Sequence, residues 1–189
     1  MNPDDQQLIR ECLAGRTDAF GELVVRYQDR LFNSLANILG SRDEARDVAQ
    51  EAFVHAFEKL GSFRGKSAFY SWLFRIAMNA AVSQKRKTRR ISGSIDTARQ
   101  DAGLEPLDAH PDADPARPLE LAEQRALVRR ALAELAEEFR VVLVLKEMDG
   151  LRYEEIAQIV GCPIGTVRSR IHRARSELRR KLVKLLRAD

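Results

Sequence analysis

An acidic stretch rich in proline and glycine, residues 91–118, divides this chain of 189 residues into two parts. Its apolar residues show no helical spacing, and it contains Gly93, Gly103, Pro106, Pro111, Pro115 and Pro118. Because proline cannot continue a helix, such a composition is typical of a linker. We therefore expect a domain at 1–90, a linker at 91–118 and a smaller domain at 119–189.

Both flanking parts have the residue content and spacing of helical proteins. The chain is 44% hydrophobic, 32% charged and only 6% aromatic, and Ala, Leu, Glu and Arg, which favour helices, dominate. Apolar residues recur at steps of three and four on both sides of the linker. The predicted fold class is all-α, with two small helical domains joined by a flexible acidic linker.

The part before the linker contains two amphipathic patterns. Residues 43–60 place along one helix face Ala45, Val48, Ala49, Ala52, Phe53, Ala56, Phe57 and Leu60. Gly61 and Gly65 bracket a loop, and Ser67 is expected to cap the next helix. That helix continues into a basic segment and has the apolar stripe Phe69, Trp72, Leu73, Ile76, Ala77 and Ala80. We expect Phe69 and Trp72 to pack in the core rather than to offer their rings as an exposed stacking surface.

The part after the linker predicts four helices. The first two span about 119–136 and 139–148, and Asp149 and Gly150 interrupt the pattern. The third spans 153–160, and a turn at 161–163 separates it from a longer helix that begins at Ile164. The apolar stripe of this last helix is Val167, Ile171, Ala174, Leu178, Leu182 and Leu185.

Positive charge is concentrated in two blocks. Residues 64–90 contain eight Lys and Arg and no acidic residue, and residues 164–189 contain nine Lys and Arg and two acidic residues. Lys and Arg contacts to phosphate supply most of the sequence-independent affinity for nucleic acid. Two basic blocks therefore predict a protein that touches a polyanion at two places. The alternative at this level is two solvated helix faces.

The short helix, the glycine turn and the basic helix after it have the pattern of a helix-turn-helix, whose second helix enters the DNA major groove. One face of that helix, opposite the apolar stripe, carries Arg168, Ser169, His172 and Arg173. Their spacing lets these side chains reach base edges together. Thr166, in the first turn, is placed to bind a phosphate beside the positive end of the helix dipole. The alternative is a simple helical hairpin.

The sequence lacks the patterns of several other protein classes. No apolar run approaches the roughly 18 residues that span a bilayer, and no signal peptide is visible, so we expect a cytoplasmic protein without membrane insertion. The two cysteines lie far apart, and the three histidines lie in different segments. No nucleophile motif and no phosphate-binding glycine loop occurs. We therefore expect no metal, no cofactor and no enzymatic activity.

Two groups of motifs are similar to those of one known family. After the linker these are residues 150–157, GLRYEEIA, and 161–175, GCPIGTVRSRIHRAR; before it they are 20–27, FGELVVRY, 47–53, DVAQEAF, and 62–79, SFRGKSAFYSWLFRIAMN. They resemble, in the same order, the two domains of sigma-E-like extracytoplasmic-function (ECF) sigma factors. The likeness weakens only in the linker.

The resemblance implies an alternative sigma factor that binds core RNA polymerase and promoter DNA and directs transcription of a stress or envelope-response regulon. It implies contacts with the flap of the second-largest polymerase subunit, and contacts with the clamp helices of the largest subunit through Asp47, Gln50 and Glu51. It assigns the minus-ten element to Phe63, Arg64, Gly65, Lys66, Ser67, Arg75, Asn79, Ser83, Arg86 and Lys87. It assigns the minus-thirty-five element to Thr166, Arg168, Ser169, His172 and Arg173. An anti-sigma factor is an expected partner.

Two positions depart from the pattern of that family. Ser83 stands where sigma-E-like members often carry Asn, which leaves the minus-ten preference open. His172 stands where they often carry Phe. Because an imidazole can donate or accept a hydrogen bond and a phenyl ring cannot, we expect a shifted preference at one position of the minus-thirty-five element.

Two other functions compete with this interpretation. A stand-alone helix-turn-helix regulator needs no polymerase and usually binds two half-sites as a dimer, but it explains only the part after the linker. A helical adaptor that binds only protein would show no salt-dependent binding to DNA. Gel filtration with core polymerase separates the first from a sigma factor, and a DNA titration against salt separates the second.

Overall fold

The computed structural model describes residues 4–91 and 116–187, with side chains at 4–86 and 122–187, and this part of the chain is helical. Its helices are α1 (Asp5–Leu13), α2 (Asp18–Leu39), α3 (Arg42–Glu58), α4 (Phe69–Ile91), α5 (Ala116–Ala133), α6 (Glu137–Glu147), α7 (Tyr153–Val160) and α8 (Ile164–Leu186). A short 3-10 turn, Leu60–Ser62, follows α3. The all-α prediction is confirmed.

Helix ends follow from capping residues in the sequence. The Asp4 carboxylate accepts a hydrogen bond from the amide of Gln7 at 2.7 Å and caps α1. The Ser41 hydroxyl oxygen caps α3 in the same way. Gly40 ends α2 and Gly161 ends α7, both with a left-handed backbone (φ of 76° and 67°) that other residues rarely adopt. These caps fix where neighbouring helices turn.

Several predicted boundaries need correction. Helix α4 begins at Phe69, and the carbonyl of Ala68 accepts its first hydrogen bond, so Ser67 lies one residue too early to be the predicted cap. Helix α5 begins at Ala116 and ends at Ala133, about three residues before both predicted ends; Pro118 was assigned to the linker, but proline is tolerated in the first turn of a helix. Residues 92–115 of the predicted linker lie outside the described residues. The division into two domains stays a prediction.

Buried residues from both parts of the chain form one continuous core. Before the linker, α2 packs on α3 and α3 packs on α4. Across the linker, α4 packs on α7 and α2 packs on α6. A second, smaller cluster joins α5, α6 and α8 through Leu132, Leu135, Leu143 and Ala174. The two parts therefore contact each other through α2 and α4.

Helix α4 is buried on more faces than its apolar stripe predicts. The stripe itself is buried except for the half-exposed Ile76. In addition, Tyr70, Ser71 and Phe74 are each no more than 3% exposed. The second buried face exists because α7, from the other part of the chain, packs against α4. The predicted core packing of Phe69 and Trp72 agrees with their burial at 2% and 8% exposure.

Candidate nucleic-acid interface

Helices α7 and α8 form the helix-turn-helix unit that the sequence predicts. Val167, Ile171 and Ala174 anchor α8 on the core, with no residue of the three more than 2% exposed. The opposite face of the helix is exposed along its first three turns and carries Arg168, Ser169, His172 and Arg173. The structure thus brings the four predicted base-reading side chains together on one solvent-facing surface, which we call the α8 face.

Hydrogen bonds within α8 restrict what two of the predicted residues can do. The Ser169 hydroxyl donates to the carbonyl of Thr166 at 3.0 Å, so its proton is already used and its oxygen is left to accept. Thr166 is half-buried in the first turn. Arg168 is exposed, and its guanidinium lies 5.7 Å from the ring centroid of Tyr153 on α7. Donors on the α8 face are therefore supplied by Arg168, His172 and Arg173.

Three further cations of α8 are paired with carboxylates. Arg170 pairs with Glu138 at 2.6 Å, Arg175 pairs with Glu147 at 2.6 Å, and Lys181 pairs with Glu134 at 3.1 Å. Its bond to Glu147 raises the pKa of Arg175. These pairs tie α8 to the helix hairpin before it, and they distinguish these cations from those of the α8 face. Sequence spacing left Arg170 and Arg175 out of the base-facing set, but it did not reveal their carboxylate partners.

The loop before α4 presents its basic residues to solvent while its aromatic residue packs inward. Arg64, Gly65 and Lys66 are exposed, and Gly65 has a left-handed backbone with φ of 67°. The Phe63 ring lies 5.2 Å from Trp72 and 5.9 Å from Phe69, measured between ring centroids. Ser67 is half-buried. A cavity of about 330 Å³ opens beside this loop, lined by Phe63, Ser67, Ala68, Phe69 and residues 4–6.

One exposed face of α4 carries further predicted residues. Arg75, Asn79, Ser83 and Arg86 are all exposed and follow one another at steps of three and four. The Ser83 hydroxyl donates to the carbonyl of Asn79 at 2.9 Å, so its proton is not free for a base. The side chain of Lys87 lies outside the described side chains. Arg75 and Asn79 are thus the best-placed polar groups of this face, which we call the α4 face.

The predicted polymerase-binding residues lie on the outer side of α3. Asp47 and Gln50 are exposed, and within the described part of the chain neither has a hydrogen bond or ion pair. Glu51 differs, because its carboxylate accepts a hydrogen bond from Gln84 of α4 at 2.9 Å and lies 3.4 Å from His55. The three residues therefore share one helix but not one environment.

A cavity of about 440 Å³ adjoins Gln50 between α2 and α3 and was not predicted from the sequence. Its lining includes Val24, Gln28, Phe32, Phe53 and Val54. Val54 is 52% exposed, and Val25 on α2 is 72% exposed, so apolar surface surrounds the polar residues. An apolar surface with a polar rim is typical of a protein-binding site. In the sequence, the adjacent residues Val24 and Val25 of the motif at 20–27 could have indicated this apolar surface.

No helix in the described ranges is long and apolar enough to cross a membrane. The described residues also contain no group of three or more His, Cys, Asp or Glu arranged to hold a metal ion.

Comparison with known proteins gives a family for each part of the chain. A family model described as Sigma-70 region 2 matches residues 23–91, and one described as Sigma-70, region 4 matches residues 125–178. The first match contains α3, the loop and α4. The second contains α7 and the α8 face. Together they account for both basic blocks, whereas a stand-alone helix-turn-helix regulator would account for only the second.

Similar proteins cover nearly the whole chain. RNA polymerase sigma-H factor of Pseudomonas aeruginosa is 42% identical over 185 residues, covering 97% of this chain and 96% of that protein. ECF RNA polymerase sigma-E factor of Escherichia coli K12 is 43% identical over 188 residues, with the same coverage.

Two solved structures have a similar fold. The sigma factor RpoE in complex with the anti-sigma factor NepR, from Bartonella quintana, is 28% identical with a TM-score of 0.69, covering 86% of this chain and 96% of that one. CnrH in complex with the cytosolic domain of CnrY is 29% identical with a TM-score of 0.65, covering 98% of each chain. The chain therefore belongs to the ECF group of sigma-70-type RNA polymerase sigma factors, which are transcription initiation factors and not enzymes.

Proposed function

We propose that the α8 face reads the minus-thirty-five promoter element in the major groove. The observation that carries this proposal is the common exposure of Arg168, His172 and Arg173 on one face of a helix, whereas the neighbouring cations Arg170, Arg175 and Lys181 are paired with carboxylates. Each unpaired arginine can offer a two-pronged hydrogen bond to guanine. Thr166, near the positive end of the helix, and the Ser169 oxygen supply contacts around them.

The α4 face and the loop before it are proposed to bind the minus-ten element. Arg64, Lys66, Arg75 and Arg86 are exposed and can neutralise phosphates of a separated strand. Asn79 offers both a donor and an acceptor to a base edge. Phe63 supports the loop by packing on Trp72 rather than by stacking on a base. Gly65 lets the backbone turn, Ser67 lines the adjoining cavity, and Ser83 and Lys87 extend the surface along the helix.

Helix α3 is proposed to contact the clamp helices of the largest polymerase subunit. Asp47 and Gln50 are exposed without partners among the described residues, and the apolar cavity beside Gln50 supplies contact area. Glu51 would act partly through its bond to Gln84, which fixes α3 against α4. The exposed apolar residues Val183 and Leu186 at the end of α8 are proposed to meet the flap of the second-largest subunit.

Regulation by an anti-sigma factor, and a stress or envelope-response regulon, complete the proposal. Its support is that a solved relative is bound to an anti-sigma factor. The surface around Val25 and Val54 is a candidate for such a partner because it is both apolar and exposed.

Run-off transcription tests the proposed function as a whole. Purified core polymerase and the full-length protein are combined on promoters with a GGAAC-like minus-thirty-five element, and a transcript is expected only when both are present. Gln50→Ala with Glu51→Ala should lower polymerase binding in a pull-down without unfolding the protein. Glu123→Ala, an exposed carboxylate on α5, is the control. Full polymerase binding by the double variant would exclude the proposed α3 contact.

A further inference from the structure

A buried carboxylate joins the two parts of the chain. Asp149 lies between α6 and α7, and its side chain is 1% exposed. Its Oδ1 accepts hydrogen bonds from the hydroxyl of Tyr70 at 2.7 Å and the hydroxyl of Ser34 at 3.0 Å, and Arg30 Nε lies 3.3 Å away. Arg30 also donates to the main-chain carbonyl of Asp149 at 2.7 Å. Every donor comes from α2 or α4, on the other side of the linker.

A second set of contacts accompanies this cluster. The guanidinium of Arg30 lies 3.8 Å from the ring centroid of Tyr70, so two of the three partners of Asp149 also contact each other. One residue further along α4, the Ser71 hydroxyl donates to Glu155 of α7 at 2.8 Å. Lys85 pairs with Glu137 at 2.7 Å at the edge of the interface. The helices that face each other here are α4, beside the proposed minus-ten surface, and α7, the first helix of the helix-turn-helix.

The cluster is specific in geometry but costly in free energy. Oδ2 of Asp149 is buried and has no hydrogen-bond partner, while burial raises the pKa of the carboxyl. Buried charges are stabilised only while every partner stays in place, and water solvates them once the surfaces part. Removing one donor should therefore weaken the closed arrangement far more than an open one.

The closed arrangement is too small to reach both promoter elements. Their names place the elements about 25 base pairs apart, which is roughly 85 Å of B-form DNA at 3.4 Å per base pair. A compact chain of this length has a radius of gyration of about 16 Å and so spans roughly 40 Å. The residues between Ile91 and Ala116, fully extended, reach about 80 Å. Simultaneous contact with both elements therefore requires α4 and α7 to separate.

We propose that Asp149, Tyr70, Ser34 and Arg30 form an intramolecular latch that keeps the free protein closed and unable to engage a promoter at both elements. The proposal rests on the proposed function for the meaning of the open form, but the latch itself is a property of the free chain. Polymerase and promoter must supply the free energy that opens it. The apparent affinity for them is lowered by the fraction of molecules that are closed.

Transcription at limiting protein tests the inhibitory role. Tyr70→Phe removes the hydroxyl and keeps the buried ring, and Ser34→Ala removes the second donor from α2. Each variant should lower, by about tenfold, the protein concentration that gives half-maximal run-off transcript, because a bond to a charged group is lost only from the closed form. Tyr27→Phe is the matched control, since its hydroxyl bonds Asp5 at 2.5 Å within one part of the chain. A half-maximal concentration unchanged from wild type in both latch variants would overturn the inhibitory role.

Small-angle X-ray scattering of the free protein tests the latch directly. Arg30→Glu places a carboxylate against Asp149 and should raise the radius of gyration by about a third or more. Arg10→Glu makes the same charge change on the exposed surface of α1 and should leave the protein compact. A compact Arg30→Glu protein would refute the latch. Absence of transcript with the wild-type protein would instead refute the proposed function, while the scattering result would still decide whether the latch exists.

Discussion

Helices α4 and α8 are of equal length, 23 residues each, and both are proposed to read promoter DNA, but they are built into the molecule differently. Helix α8 buries one stripe and leaves the opposite side exposed, so the residues of the α8 face contribute little to the stability of the fold. Helix α4 is buried by α3 on one side and by α7 on another, and only a narrow exposed face remains. Substitutions that alter DNA recognition should therefore leave stability unchanged in α8, whereas in α4 they should affect both.

The largest expected effect concerns the core of α4. Leu73 is fully buried, so Leu73→Ala should lower the free energy of unfolding by about 2–5 kcal/mol. Leu178→Ala on the stripe of α8, where the side chain is only half-buried, should lower it clearly less. Urea titrations followed by circular dichroism measure both. Equal losses at the two sites would contradict the contrast between the helices.

The next effect concerns the arginines of the α8 face. Arg168→Ala and Arg173→Ala should each weaken binding to the minus-thirty-five element by about 1–3 kcal/mol and relax discrimination at one base pair. Because both side chains are exposed, the urea midpoint should stay at its wild-type value. Arg179 is exposed further along the same helix, and Arg179→Ala is the control for losing a cation outside the α8 face. A uniform loss over all sequences for Arg173→Ala would reassign that arginine to the phosphate backbone.

A smaller effect is expected from pH at the interface of α4 and α7. Burial raises the pKa of Asp149, so its contribution to stability is present below the ordinary Asp pKa of about 3.9 and is lost as pH rises through the raised value. Hydrogen bonds from Arg152 and Ser71 outweigh burial and lower the pKa of Glu155, whose contribution is constant above about pH 4.3. Two other titratable groups face Asp149. Burial raises the pKa of Tyr70, which therefore stays protonated, and Arg30 supplies a positive charge.

Stability should therefore rise as pH falls through the raised pKa of Asp149, and Asp149→Asn should flatten this dependence. Urea midpoints at several pH values, compared between the two proteins, measure the difference. An identical pH dependence in wild type and Asp149→Asn would show that this carboxyl does not titrate between the closed and open forms.

Local pattern predicted most helices, and it failed where distant parts of the chain meet. The period of apolar residues placed α7 at its observed bounds and the start of α8 at Ile164. The same reasoning gave α4 a single buried stripe, because the burial of Tyr70 and Phe74 depends on residues about 80 positions away that pack on them. Asp149 was read only as a helix break, since nothing in its neighbourhood reveals donors on α2 and α4.

The candidate surfaces show the same limit. The exposure of Arg168, His172 and Arg173 followed from spacing, because an exposed face is defined by the helix itself. The ion pairs and hydrogen bonds of other side chains could not be predicted from spacing. Arg170 and Arg175 bind carboxylates from α6, and Glu51 binds Gln84, all through contacts between helices. Sequence spacing thus identifies which residues can face a ligand, and packing decides which of them are free to do so.

The smallest effect, and the sharpest test of the α8 face, concerns His172. Its imidazole is exposed and has no bond to another side chain in the described residues, so it is free to donate or accept one hydrogen bond. A phenyl ring at this place can make only apolar contact, for example with a thymine methyl group. His172→Phe should therefore change the preference at one base pair by about 1 kcal/mol or less and leave the others as they are. Binding titrations across all single-base variants of the element measure this, with Arg179→Ala as a control for phosphate contacts. Identical preference profiles for wild type and His172→Phe would mean that the histidine contacts only phosphate or solvent, and base reading by the α8 face would then depend on its two arginines alone.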